Sequence, residues 1–410
     1  LKYKHLLSSS PLHPIQMALF ILIELLLIFG ETFAKFNLWG PLHLYDALLL
    51  TVGIISIIYF VKQPKKFWVW PVLIIQGFSL LYVCYSFFII HNPTNYIIRH
   101  YALFVYLGLG WLIFSSFISD HFQPFNISFF VLIGVGSAVV QLIYLFYLAF
   151  FTNDFSLFGD FNYYSKMTIV GIIVFGAYIL VNVHNKLFKW VLAVFYLSLS
   201  VTLGHSSAFL SVFTVVITYI ILQLPLRIKL AGVVALVLFS IVFFLYLPQF
   251  SDHNAEWRLV FWKYSLKDIV TNYYSILGHG FGVPYTTQET LDALRENVNS
   301  PWFEVRPEEQ YLSPMHNSFI TMAFHIGLLP SLLLFIPLFK PFKETILAKN
   351  ELRNPASDFL LLSWVGLTVW ASFNVVLELP HSSLFYWLVY FALIYQFKNK
   401  NSHLADSKNA

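Results

Sequence analysis

The sequence predicts an all-α polytopic membrane protein with about twelve transmembrane helices and one large outer loop that contains short helices of its own. Three observations predict it. The 410 residues are 58% hydrophobic and only 11% charged, with a mean hydropathy of +0.71, whereas soluble domains run near ~25% charged. Apolar runs of spanning length recur along the chain, and basic residues collect on alternate connections, as the positive-inside tendency requires. One stretch alone, 248–315, interrupts that pattern with a dense set of charges.

A span needs roughly 20 apolar residues, fewer where flanking side chains snorkel. By that measure the spans fall near 15–33, 42–61, 68–90, 98–118, 127–151, 166–183, 188–204, 207–224, 229–247, 316–339, 358–377 and 381–397. No small-residue cleavage pattern follows the first run, which therefore reads as a retained span. With the N-terminus inside, KQPKK (62–66) and KPFKETILAKNELR (340–353) lie on the inner face, and inner Lys and Arg outnumber outer ones two to one. The reversed topology would put both basic segments outside, so both termini are expected inside. The chain then divides into a nine-helix region (1–247), the outer loop (248–315), a three-helix region (316–397) and an inner tail (398–410).

Composition also excludes some functions. The net charge of +4 is dispersed, with no basic stripe of the kind nucleic acid requires. The single cysteine, Cys84, lies in an apolar run, which removes disulfides and thiolate metal sites. No metal or cofactor is expected. The abundant Phe (44) and Tyr (24) suit surfaces that meet lipid or its boundary. No internal repeat relates the two halves.

The outer loop carries five basic and nine acidic side chains in 68 residues. Loops of that length in a compact protein are functional or disordered, and its aromatic residues, among them Trp257, Phe261, Trp262 and Trp302, argue for order. Residues 256–274 read as a helix with Trp257, Val260, Phe261 and Tyr264 on one side and Glu256, Lys263 and Lys267 on the other. Such a helix is expected to lie along the membrane surface. Arg258 falls on a different face from Lys263 and Lys267. It suits a diphosphate, because a guanidinium is always charged and forked; an ion pair with a loop carboxylate is the plainer alternative.

The loop closes on Ser313-Pro314-Met315-His316-Asn317-Ser318. Ser313 as N-cap with Pro314 at the first helical position would place His316 in the first turn of a membrane helix. The positive end of the helix dipole there disfavours imidazolium, leaving a neutral ring able to take a proton from a hydroxyl. The alternative is a polar anchor at the interface, and His-Asn also occurs at His91, His184 and His253. Gly278-His279-Gly280-Phe281-Gly282 is a turn: either plain turn geometry or a place where backbone approaches a ligand. It lacks the Lys-Ser/Thr of a phosphate-binding loop. Charges within the apolar spans are few; Glu24, and Glu378 beside Pro380, are the candidates, since a carboxylate at membrane depth is a functional hypothesis.

Taken in order, Arg258 with Trp262, then Gly278-x-Gly280-x-Gly282, then Pro314-x-His316-Asn317-Ser318, then Gly327, resemble the O-antigen ligase and Wzy-type polymerase superfamily. Phe158-Gly159-Asp160-Phe161-Asn162 upstream, and Phe373-Asn374 with Glu378-Leu379-Pro380 downstream, are similar to further family motifs, so that the resemblance covers about 155–395. It implies a bacterial inner-membrane enzyme with its large loop in the periplasm and a metal-independent, inverting glycosyl transfer. The donor would be an undecaprenyl-diphosphate-linked glycan and the acceptor a hydroxyl on a glycan or on the lipid A core, with membrane lipids and a chain-length regulator as partners. His316 would be the catalytic base and Arg258 would hold the diphosphate, with Asn317, Gly280, Gly282 and Glu378 in the substrate site. Where the family has a Ser-Arg-Gly-like step this chain reads Gly204-His205-Ser206-Ser207, which leaves His205, Lys166 or Arg99 to supply the second cation. Polymerase is favoured over ligase because no extra basic cluster is present to receive a phosphorylated core. A transporter or flippase fits the span count but not the missing repeat or the scarcity of buried charge; a membrane-bound O-acyltransferase would need its His and Asn deeper in the membrane.

Overall fold

The computed structural model describes residues 14–39, 42–62, 67–117, 127–152, 166–202, 206–229, 253–271, 273–298, 308–347 and 353–406, with a few more between 231 and 238. The protein is mostly helical, at 83%. The helices described in full before the loop are α1 (Pro14–Phe33), α2 (Leu44–Lys62), α3 (Trp70–Phe88), α4 (Thr94–Phe117), α5 (Ile127–Thr152), α6 (Lys166–Asn182), α7 (Lys186–Thr202) and α8 (Ser206–Gln223). A two-stranded antiparallel ribbon, β1 (Asn37–Trp39) and β2 (Leu42–His43), joins α1 to α2. The loop contains α9 (His253–Thr271), α10 (Tyr274–Leu277), α11 (Gln288–Val298) and α12 (Glu309–Leu312). Beyond it come α13 (Ser318–Ile326), α14 (Leu328–Leu332), a 3₁₀ segment (Leu333–Leu338), α15 (Phe339–Leu347), α16 (Pro355–Ala371) and α17 (Pro380–Asp406).

The termini of these helices follow local chemistry. Pro71 opens α3 and Pro355 opens α16, at positions where the missing N–H has no intrahelical partner to lose. Asn354 caps α16, its side chain accepting from the Ala356 N–H at 2.9 Å. Just ahead of that cap, Arg353 pairs with Asp358 at 2.8 Å and donates to the Leu222 carbonyl at 2.8 Å, tying the end of α8 to the start of α16.

α17 forms the centre. Every residue from His381 to Ile394 is buried, as a helix apolar on all sides must be. Small residues let its neighbours close in: a Cβ on Gly110 of α4 would sit 2.7 Å from Trp387, and one on Gly366 of α16 would sit 2.6 Å from Ile173 and Val215. The outermost helices are inverted in character. Only 22% of the most apolar stretch of α3 is buried, and α2 and α3 present Ile54, Val61, Leu81 and Phe88, each more than 60% exposed. A soluble protein does not leave faces of that size to water. α2, α3 and α4 are long and apolar enough to cross a membrane, and Met17–Gly30, Ile169–Asn182, Ser207–Gln223 and Pro355–Ala371 are shorter apolar helices.

The expected continuous span 316–339 is not present. Its first part is the nine-residue α13, which ends at Gly327 in a left-handed conformation (φ 91°); α14 and the 3₁₀ segment carrying Pro337 follow. Hydropathy alone could not detect this break, because Gly327 and Pro337 leave the run apolar while breaking its backbone. The expected span 229–247 lies largely outside the described residues. A second, smaller core joins Trp257, Phe261, Tyr285, Leu294 and Met315 of the loop to Ile320 and Phe324 of α13, so loop and helix pack as one unit across residue 315.

Candidate functional site

α9 runs His253–Thr271, three residues ahead of the expected 256–274 at each end, and its sidedness is as expected. Trp257 and Phe261 are buried, Lys263 and Lys267 exposed, and Arg258 half-buried on the inward side. Lys267 is bonded to Glu289 of α11 at 2.5 Å, and that carboxylate raises the lysine above its ordinary range. The Arg258 guanidinium lies 5.7 Å from the Trp257 ring and donates weakly to the Phe373 carbonyl at 3.5 Å.

His316 meets the same indole edge to face, with ring centroids 5.1 Å apart at 86°. Its placement corrects the sequence reading. Ser313 is not an N-cap; it closes α12 as its C-cap, and its hydroxyl donates to Glu309 at 2.7 Å. The cap is Asn317, whose side-chain oxygen accepts from the N–H groups of Phe319 and Ile320, both at 3.1 Å, so α13 begins at Ser318. His316 precedes that cap in a left-handed conformation (φ 48°), its own N–H turned back to the Pro314 carbonyl at 2.8 Å. A non-glycine residue there is strained by about 1–2 kcal/mol and must be held by its surroundings.

The holding groups can be named. The Trp262 indole N–H donates to the Met315 carbonyl at 2.5 Å, and its ring packs on Phe373 at 5.6 Å. Ser318 donates to Glu378 at 2.5 Å and accepts from the N–H groups of Val376 and Leu377 at 3.0 and 3.1 Å. Glu378 therefore sits in the connection between α16 and α17, bonded to the first residue of α13. Arg99, near the start of α4, donates to the Leu312 carbonyl at 3.2 Å; beside it Tyr96 stacks on Tyr311 at 4.4 Å.

Gly278, Gly280 and Gly282 all have positive φ (63°, 80° and 74°), and the surface they approach is protein. The N–H groups of His279 and Gly280 donate to the carbonyls of Phe324 and His325 at the end of α13, at 2.7 and 3.0 Å. The Gly282 N–H donates to His100 Nδ1 at 3.2 Å. A Cβ on Gly278 would lie 2.5 Å from backbone atoms of His325 and Gly327. The amides of this segment are thus taken up in joining the loop to α3, α4 and α13.

Sequence reasoning missed a buried network behind that joint. His325 Nδ1 donates to the Gly280 carbonyl at 2.7 Å, and its Nε2 accepts from the Tyr285 hydroxyl at 3.3 Å. His100 accepts at Nδ1 and donates from Nε2 to the Tyr311 carbonyl at 2.8 Å. Each ring therefore has one donor and one acceptor nitrogen. Burial, reinforced by Glu378, pushes the Tyr285 phenol well above its ordinary range, which keeps it a donor. Nothing in the local sequence distinguishes these histidines, since their partners are 182 and 45 residues away.

Lys166 is the first residue of α6; its side chain, His205 and the 158–162 motif lie outside the described residues. No group of three or more His, Cys, Asp or Glu side chains that could hold a metal occurs among the described residues. Fold and apolar surface define a largely helical, membrane-associated protein. No family model matches the chain, and no curated protein or solved structure is similar to it.

Proposed function

We propose that this chain is a glycosyltransferase of the bacterial inner membrane. It moves glycan from an undecaprenyl-diphosphate carrier to a hydroxyl of an acceptor glycan on the periplasmic face, through a twelve-span topology with both termini in the cytoplasm. The observation that carries this reading is the convergence of a strained histidine and a half-buried arginine on one indole, Trp257. His316 takes the proton of the acceptor hydroxyl as its oxygen bonds to the sugar's anomeric carbon. The bond from that carbon to the diphosphate breaks with inversion, and the negative charge released on the diphosphate is balanced by Arg258. Arg99, bound to the segment leading into the His316 turn, is the described residue best placed to add a second positive charge. Polymerisation of repeat units is the favoured transfer; attachment to the lipid A core is the alternative.

Deleting the gene and resolving the host's surface glycan on a gel tests this. Collapse of the ladder to a single capped repeat identifies a polymerase, whereas long carrier-bound polymer over bare core identifies a ligase. His316→Ala, present in the membrane at the wild-type level, is expected to restore neither. Rescue by His316→Ala removes the base, and an unchanged glycan in the deletion strain rejects the reading for that polymer.

A further inference from the structure

A cleft of about 290 Å³ opens at the start of α3, lined by Trp68, Trp70, Ile336, Pro337, Lys340 and Phe397. α3 runs from this cleft to the glycine joint, where Ser86 bonds the Phe281 N–H. The two features are therefore separated by about 25 Å at 1.5 Å per residue. The cleft exists because chain ends meet there: Pro71 opens α3, and Pro337 lies in the 3₁₀ segment that leads into α15.

Its chemistry is two-sided. Trp68 and Trp70 are stacked at 6.0 Å, and Trp68 also packs on Phe60 and Trp111, making an aromatic plate. Trp70 is 67% exposed and Phe339, beside the cleft, 72%. These walls continue into the exposed apolar faces of α2 and α3. The Lys340 ammonium stands at the rim, half exposed, with Glu344 at the outer limit of ion-pair distance (3.9 Å); such a pair holds its lysine only weakly. An occupant needs a long apolar part and one anionic end, at the edge of an apolar belt ringed by tryptophan. A peptide would have to leave its backbone groups in hydrocarbon, whereas a phospholipid meets each requirement.

We infer that this cleft binds one anionic phospholipid, its acyl chain between Trp70 and Ile336 and its phosphodiester on Lys340. The site is remote from the proposed transfer site and stands independently of it. The full chain, purified in mild detergent, is incubated with equal amounts of palmitoyl-oleoyl phosphatidylglycerol and phosphatidylcholine, and retained lipid is counted by native mass spectrometry. Wild type is expected to keep phosphatidylglycerol preferentially. Lys340→Gln should lower that preference about fivefold, the contribution of one basic side chain at an anionic lipid surface, while Lys340→Arg retains it. Ile336→Trp, which fills the cleft, should lose the bound lipid. Equal retention of the two lipids by wild type, a preference unaffected by Lys340→Gln, or binding that survives Ile336→Trp each overturns the assignment.

Discussion

His316 shows how much a single residue's backbone can reveal. A histidine at φ 48° is costly unless neighbouring groups fix it, and the nearest such group is the Trp262 indole at the Met315 carbonyl. Trp262→Phe keeps the ring against Phe373 and removes only the N–H. It should shift the unfolding free energy by about 1 kcal/mol, yet reduce glycan transfer far more than that loss explains. Thermal unfolding in detergent beside a gel of the glycan ladder separates the two effects; equal, small losses in both would reduce Trp262 to packing. The residue scale is also where the sequence was least legible. Ser313-Pro314 has the form of a helix start, but Ser313 is engaged by Glu309, four residues earlier, and Asn317 caps in its place. The two signals stand four residues apart, and only the fold selects between them.

The elements themselves were mostly legible, because lipid imposes one strong rule on composition. The apolar runs near 15–33, 127–151 and 166–183 coincide with α1, α5 and α6 to within a residue. α9 was readable as well, since its buried and exposed positions follow the helical period. The break at Gly327 was not, and neither was its purpose: the end of α10, at Ile276 and Leu277, and the glycine segment press against it from the loop. Gly278→Ala would force a Cβ to within 2.5 Å of backbone at both His325 and Gly327, in a left-handed conformation. A backbone cannot yield as a side-chain tip can, so the joint should open. The expected result is a lower unfolding temperature together with rapid proteolysis between 278 and 312, while Ala at the helical Gly77, which has open space, changes neither.

At the scale of the whole molecule, the membrane topology rests on charge distribution, and the lone Cys84 makes it easy to test. In a Cys84→Ser background, Asp292→Cys in α11 and Lys343→Cys in α15 place one exposed thiol near each end of the protein. A membrane-impermeant maleimide reaching the periplasm should label Asp292→Cys in intact cells and Lys343→Cys only after the inner membrane is opened. The opposite pattern would invert the chain and move His316 away from any periplasmic glycan.

The joint between Gly278–Gly282 and the end of α13 limits how a relative of this protein could change its loop. α13 has nine residues, a length of about 13 Å, and its last carbonyls receive their hydrogen bonds from the loop. The loop is therefore not a module that could be grafted onto another set of helices, since removing it would strip the buried Phe324 and His325 carbonyls of their hydrogen bonds. Change in the loop would have to come by substitution at exposed positions of α11, such as Gln288, Glu289 and Asp292, while the glycine joint stays fixed.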